Sequence, residues 1–361
     1  MGDGGAVATQ GPGRERAPQS QRRSTILELV AAEAHTASRP SHPHVRQIDP
    51  WRDGRAVANL LEVAFREEAD SDEGERLIHA LRNYGPLDAM LLSGTTGFVW
   101  VEDGQVIANA SIQRNATRRD TWVIGNVATQ PAYRNRGIGR AVVEACIQYA
   151  AARGARYVAL QADVTNHPAL HLYEKLGFQR IGEVTHFLRP ALVELPLDCP
   201  AVPKLRGARW SDREVIWSLA RQHIPETLTF AESFNARVYR LGLRWTLVNA
   251  LSGNPDHWLL MMSDVKGDVL GAVRTRAVIE GRYHYLEVFP TAHATQDDIL
   301  QLIRGGLSRL AKYARKPICA AHVASCLAVR QALQAAGFRI SRTLVHMRLA
   351  LQSEADTSPA W

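Results

Sequence analysis

Two stretches of this chain repeat each other. "LYEKLGFQRIGEVTHFLR" (172–189) and "ALQAAGFRISRTLVHMRL" (332–349) align without a gap, with Gly177 and Phe178 standing 160 residues before Gly337 and Phe338. Upstream, "VEDGQVIANASI" is matched by "VKGDVLGAVRTR", and "VIGNVATQP" by "YHYLEVFP". At 361 residues the chain exceeds one ordinary domain. An internal duplication of about 150 residues then ties the fold of one half to that of the other, since each repeat is one folding pattern used twice.

The first half can be read element by element. "DGRAVANLLEVAFREEA" puts Val57, Leu60, Leu61, Ala64 and Phe65 on one helical face, and "DEGERLIHALRNY" does the same with Leu77, Ile78 and Leu81. "GFVWVEDGQVIANASIQR" reads as a hairpin turning at Asp103-Gly104, and "TWVIGNVATQP" as a third strand stopped by Pro131. A helix follows from about Gly137 to Arg153, closed by Gly154. After it come the strand "YVALQADV", a helix from about Pro168 to Leu176 ended by Gly177, and the strand "FQRIGEVTHFLRP". Helices and strands in that order predict an α+β protein in which each half is a mixed, twisted sheet flanked by helices on both faces.

Residues 1–45, rich in Gly, Pro, Ser, Gln and Arg, are expected to be a disordered tail, within which "STILELVAAEAH" (24–35) could form a short helix capped by Ser24 or Thr25. The expected boundaries are a first domain over 46–194, a proline-rich linker over 195–205, a second domain over 206–351 and a tail over 352–361.

Composition narrows the class. Apolar residues at 46% and charged residues at 22% are ordinary for a globular chain. No apolar run approaches the roughly 20 residues of a membrane span, and the N-terminus lacks a signal peptide's apolar stretch, so no membrane association and a cytoplasmic location are expected. Cys146, Cys199, Cys319 and Cys326 have neither metal nor disulfide spacing; they are expected to be reduced and mostly buried, and no metal is expected. The net charge of +7 comes from scattered residues, nearly all arginine, with only five lysines, which does not point to nucleic acid.

One loop points to a ligand. "RNRGIGRA" (134–141) sets two glycines and three arginines at the mouth of a helix, where bare backbone and the helix dipole together favour an anion. The P-loop pattern fails because no Lys-Ser or Lys-Thr follows Gly139. The dinucleotide pattern GxGxxG fails because Val142 stands at its third glycine. RxxGxG fits, read on Arg134, Gly137 and Gly139.

At these residues the chain resembles the GNAT superfamily of N-acyltransferases, over roughly residues 46–190. Two segments carry the resemblance, "NVATQPAYRNRGIGRAVVEAC" and "NHPALHLYEKLGF". It implies acetyl-CoA as co-substrate, with its pyrophosphate held by Arg134, Asn135, Arg136, Gly137, Ile138, Gly139, Arg140 and Ala141. It further implies backbone N–H groups around Val127 and Ala128 of a splayed strand for the thioester oxygen, Asn166 as a cofactor contact, and Tyr173 as the catalytic group facing the sulfur. Asn166, before Pro168, also suits a helix cap, and Tyr173 shares a helical face with Leu170 and Leu176.

The reaction implied is direct attack of a primary amine on the thioester in a ternary complex, and the attacking amine must lose a proton. Many family members use a carboxylate on the central strand, and "TWVIGNVATQP" has none. Glu183, His186, Glu102 or relayed water remain candidates for the base. "REEADSDEGER" (66–76) could present an acidic rim to a cationic acceptor, whether a small molecule or a protein amine, or simply form a solvated loop. A non-catalytic acetyl-CoA-sensing protein is the competing reading.

Carrying positions forward by 160 replaces Gly137 with Asp297, Gly139 with Ile299, Asn166 with Cys326 and Tyr173 with Leu333. The second half is thus expected to keep the fold and lose the chemistry. It could complete the acceptor pocket, rigidify the first half or mediate a homodimer.

Overall fold

A computed structural model describes residues 42–64, 96–191, 204–232, 239–243, 245, 247, 249, 255–263, 268–279 and 282–351. Residues 1–41 of the expected tail with its 24–35 helix, the 72–84 helix, the acidic stretch 66–76, most of the 195–205 linker and the 352–361 tail lie outside the described residues; the end of the expected tail is ordered instead, with Val45 buried at the start of the first strand because it pairs with Trp100.

The first half runs β1 (Val45–Gln47), α1 (Pro50–Ala64), β2 (Thr96–Glu102), β3 (Gln105–Arg114), β4 (Thr121–Thr129), α2 (Ile138–Ala151), β5 (Tyr157–Asp163), α3 (His167–Lys175) and β6 (Gln179–Arg189). The second runs β7 (Leu205–Gly207), α4 (Arg213–His223), β8 (Asp256–Met262), β9 (Val269–Arg276), β10 (His284–Pro290), α5 (Gln296–Leu310), β11 (Ile318–Val323), α6 (Leu327–Ala335) and β12 (Arg339–Ala350).

Local chemistry sets these ends. Asp103 and Gly104 both take positive φ, as a two-residue hairpin whose turn matches strand twist requires. Gly177 and Gly337, at φ 91° and 86°, close α3 and α6 in the same left-handed conformation. The duplication extends to ion pairs: Arg46 grips Asp53 through two bonds of 2.6 and 2.7 Å, and Arg206 grips Asp212 through two of 2.7 and 2.8 Å.

The two halves do not build separate sheets. All strands join one 12-stranded sheet in the order β1-β2-β3-β4-β5-β12-β6-β11-β10-β9-β8-β7. β12, from the end of the second half, lies antiparallel between β5 and β6, while β6, from the end of the first half, pairs with β11. Each half therefore completes its sheet with the other's last strand. The two segments share few residues beyond the Gly-Phe closure, but β6 and β12 carry nearly the same succession of buried and exposed positions, so either strand can close either half of the sheet.

Helices α2, α3, α5 and α6 cover one face of the sheet, with Val142, Cys146 and Tyr173 against Leu160 and Val345, and Leu302 and Leu333 against Phe187 and Leu286. The opposite face carries α1 over Val99 and Ala128, α4 over Trp258 and Phe289, and a short turn, Glu226–Phe230, over Ala159. That turn belongs to the second half but is tied to the first. Buried Asn115, in the β3–β4 loop, donates to the carbonyls of Thr229 and Phe230 at 2.8 and 2.9 Å, and Arg118 lies over the Phe230 ring at 3.8 Å.

Candidate functional site

The sequence-predicted loop sits where β4 parts from β5. The two strands pair in parallel only from Thr121–Tyr157 to Ile124–Leu160, and beyond that they separate. Just past the split, β4 carries a bulge opposite β3, with Asn126 at φ 53°. Buried Asn109 donates its side-chain N–H to the Asn126 carbonyl at 2.8 Å and pins the bulge. A bulge re-aims the backbone on either side of it, here at Val127 and Ala128. Sequence reasoning did not single out Asn109 or Asn126; the available signal was an Asn in mid-strand, a residue type that tolerates positive φ.

The chain then turns through Asn135 at φ 64° and Gly137 at φ 78° into α2. Gly137 is the N-cap and has no side chain to bond the first turn, so the N–H groups of Ile138, Gly139 and Arg140 are left for an outside acceptor. A Cβ at Gly139 would lie 3.3 Å from Thr129 Oγ1, which leaves little room between strand and helix. Arg134, Arg136 and Arg140 are exposed around the loop. Arg136 rests over Tyr133 at 5.0 Å, and Arg140 pairs with Glu144 at 2.7 Å, one turn along the exposed helix face.

Asn166 caps α3: its Oδ1 accepts from the Ala169 N–H at 3.2 Å, and this leaves the amide N–H groups as donors for a ligand. Tyr173 is buried beside Cys146 and meets Phe178 edge-on. Burial, and then the proximity of Cys146, raises its pKa, so the phenol stays protonated at neutral pH and keeps an O–H to donate.

The second half shows what the same framework looks like without such a site. At α5 the cap is Thr295, whose hydroxyl accepts from the Asp298 N–H while the Asp298 carboxylate accepts from Thr295 N and Oγ1 at 2.9 and 2.6 Å. The Asp298 carboxylate thus turns back on Thr295 in a capping box that closes this helix entry. Where β10 parts from β11, His223 of α4 donates from Nε2 to the Pro290 carbonyl at 2.6 Å and packs against His322 and Phe289.

The candidate bases are not brought to Val127–Ala128. β5 and the inserted β12 stand between β4 and β6, so Glu183 and His186 lie three strands away, and Glu102 accepts from Trp100 Nε1 at 3.2 Å. Burial, with Arg342 and His346 nearby, lowers His186 to about 4, so its ring is neutral at neutral pH. Of the described cysteines Cys146 alone is buried; Cys319 and Cys326 are half-buried, and Cys199 lies outside the described residues.

A bulged strand, a splayed parallel pair and a glycine entry to the next helix form a strand–loop–helix unit whose first-turn N–H groups suit an anion. Residues 55–178, about a third of the chain, match the sequence model of the acetyltransferase (GNAT) family. An uncharacterized N-acetyltransferase of Methanocaldococcus jannaschii is 35% identical over 86 residues, 24% of this chain and 38% of that protein. The chain spans half or less of the length of the curated relatives it matches. In fold, a GCN5-related N-acetyltransferase of Sphaerobacter thermophilus superimposes with a TM-score of 0.61 at 15% identity, covering 88% of this chain and 99% of its own. A tandem GNAT protein from the clavulanic acid biosynthesis pathway does so at 0.54 and 15% identity, covering 86% and 99%. Among the described residues no group of His, Cys, Asp or Glu could hold a metal ion, and no helix is long and apolar enough to cross a membrane.

Proposed function

We propose that the protein is an acetyl-CoA-dependent N-acetyltransferase that acetylates a primary amine by direct attack in a ternary complex, using the first half alone for the cofactor. The contrast between the two helix entries carries this reading. The N-terminus of α2 leaves its first N–H groups for an anion beside a glycine cap, whereas that of α5 is closed by a capping box, with the Thr295 hydroxyl on the Asp298 N–H and the Asp298 carboxylate folded back on Thr295. The co-substrate supplies an activated thioester and a pyrophosphate for the N–H groups of 138–140.

The chain's own groups then divide the work. Arg134 and Arg136 add charge-assisted bonds at the loop. Backbone N–H groups beside the Asn126 bulge stabilise charge as it develops on the carbonyl oxygen. Tyr173, kept protonated by burial, donates to the departing sulfur. Proton loss from the amine falls to water or to a group the acceptor brings near, since Glu183, His186 and Glu102 stand away from the bulge.

Calorimetry of the full chain with acetyl-CoA, followed by thiol release in the presence of an amine panel, tests the proposal. One site per chain and amine-dependent thiol release are expected. Absence of binding overturns it, and binding with no turnover on any amine leaves an acetyl-CoA-sensing protein instead.

A further inference from the structure

β11 lies well inside the sheet, yet Ala321 upon it is exposed. Residues in such a position are ordinarily covered by a packed layer. Here, on the face that carries α1 and α4, the strip between the Glu226–Phe230 turn and α4 is open. The register fixes what lines it. Ala321 stands beside His186 of β6, and His186 beside Arg342 of β12, in one row across three strands. Beyond Ala321, on β10, Glu287 binds Arg274 of β9 at 2.7 Å and accepts from the Tyr239 hydroxyl at 2.9 Å. From β10 to β12 the floor is three strand spacings, or about 14 Å, wide.

The two ends of this row differ electrically. Glu287 is already matched by Arg274 and Tyr239. Among the described residues Arg342 forms no ion pair, and its neighbour His186 is neutral, with Nε2 buried and without a hydrogen-bond partner. A half-buried guanidinium beside an unsatisfied imidazole nitrogen is a place for an oxyanion. β12 is the immediate neighbour of β5, whose separation from β4 opens the thioester site, so Arg342 lies one strand beyond that opening.

We infer that the acceptor lies across the seam of the two halves, along the row Arg342–His186–Ala321, and that it is an amine carrying a carboxylate or phosphate held by Arg342. The inference rests on the N-acetyltransferase reading and deepens it. The exchanged strand thereby gives the second half, which has closed its own cofactor site, a direct part in substrate choice. A free guanidinium without a competing carboxylate attracts an anionic group and leaves a neutral analogue with an unmatched desolvation cost.

The test uses the full chain, acetyl-CoA and matched pairs of amino acids and their amides, with O-phosphoethanolamine and ethanolamine as the phosphate-bearing pair. The anionic member is expected to be favoured at least tenfold in kcat/KM. Arg342→Gln collapses that ratio toward one, with acetyl-CoA affinity unchanged, since a lost bond to a charged group is worth about 10- to 100-fold. Arg342→Lys keeps part of the preference. Ala321→Trp, at an exposed site, raises KM for the favoured amine about tenfold. A preference for neutral members, or a ratio that survives Arg342→Gln, overturns the inference. So does failure of every anionic amine while neutral amines are turned over. If acetyl-CoA itself does not bind, the N-acetyltransferase reading fails first.

Discussion

Asn115→Ala measures how far the two halves stabilise each other. The Asn115 amide makes four bonds: its N–H groups go to the carbonyls of Thr229 and Phe230, and its Oδ1 accepts from the N–H groups of Thr117 and Arg118 at 2.7 and 3.0 Å. Truncation affects the two sides unequally. Thr117 is exposed and Arg118 half-buried, so their N–H groups regain water. Thr229 and Phe230 are buried, and their carbonyls lose their donor with little water to replace it. At about 1–2 kcal/mol for each stranded carbonyl, the loss is about 2–4 kcal/mol. Asn115→Asp should be at least as damaging near neutral pH, because a carboxylate oxygen then faces two carbonyl oxygens, and it should recover part of the loss in acid. The assay is urea unfolding of the full chain followed by fluorescence and far-ultraviolet circular dichroism. A single transition with a lowered midpoint and an unchanged slope is expected. Acetyl-CoA affinity should not change in the folded variant, since the 9 residues of β4, about 30 Å of strand, separate Asn115 from the glycine loop. A loss below about 1 kcal/mol would refute the reasoning that this side chain holds the turn onto the first half.

Gly139→Asp should abolish acetyl-CoA binding while leaving the melting temperature within a few degrees, because it sets a carboxylate at the anion position and a Cβ 3.3 Å from Thr129 Oγ1; unchanged calorimetric affinity would remove the loop from the site. Tyr173→Phe keeps the ring's packing and should lower kcat about tenfold or less with acetyl-CoA affinity unchanged, as a thiolate needs less help to leave than an alkoxide; a kcat within about twofold would make Tyr173 a packing residue. Burial holds His186, His322 and His346 at about 4, below the ordinary value near 6.5. Below about pH 6.5 the unfolded chain binds protons that the folded chain refuses, so stability should fall as pH drops from about 6.5 toward 4, by up to about 1.4 kcal/mol per pH unit for each histidine. Urea midpoints at pH 7 and pH 5 check this, and His346→Leu should flatten the fall; equal slopes in variant and parent would contradict it.

Local chemistry was legible in the sequence wherever it acts over a few residues. The 160-residue repeat, the Asp103-Gly104 hairpin, the glycine closures of α3 and α6 and the glycine entry to α2 all depend on which residue can take a left-handed backbone or leave an N–H exposed, and each lies where the sequence places it. Cys326 and Leu333 stand in α6 where Asn166 and Tyr173 stand in α3, as the repeat requires.

Strand partnership was not legible, for the same reason that the repeat was. The two final strands differ in most residues but carry nearly the same pattern of buried and exposed positions, so nothing local distinguishes a strand closing its own sheet from one closing its neighbour's. Only the three-dimensional assembly placed β12 between β5 and β6. That placement set Glu183 and His186 three strands from β4 and brought Arg342 within one strand of the β4–β5 opening, and the assembly also tied Asn115 to a turn more than a hundred residues away in the chain. Likewise, the sequence showed Asp297 where the first half has Gly137, but only the structure showed that its neighbour Asp298 closes a capping box with Thr295. Long-range pairing is decided by the total burial of the assembled sheet, a quantity that no short stretch of residues contains.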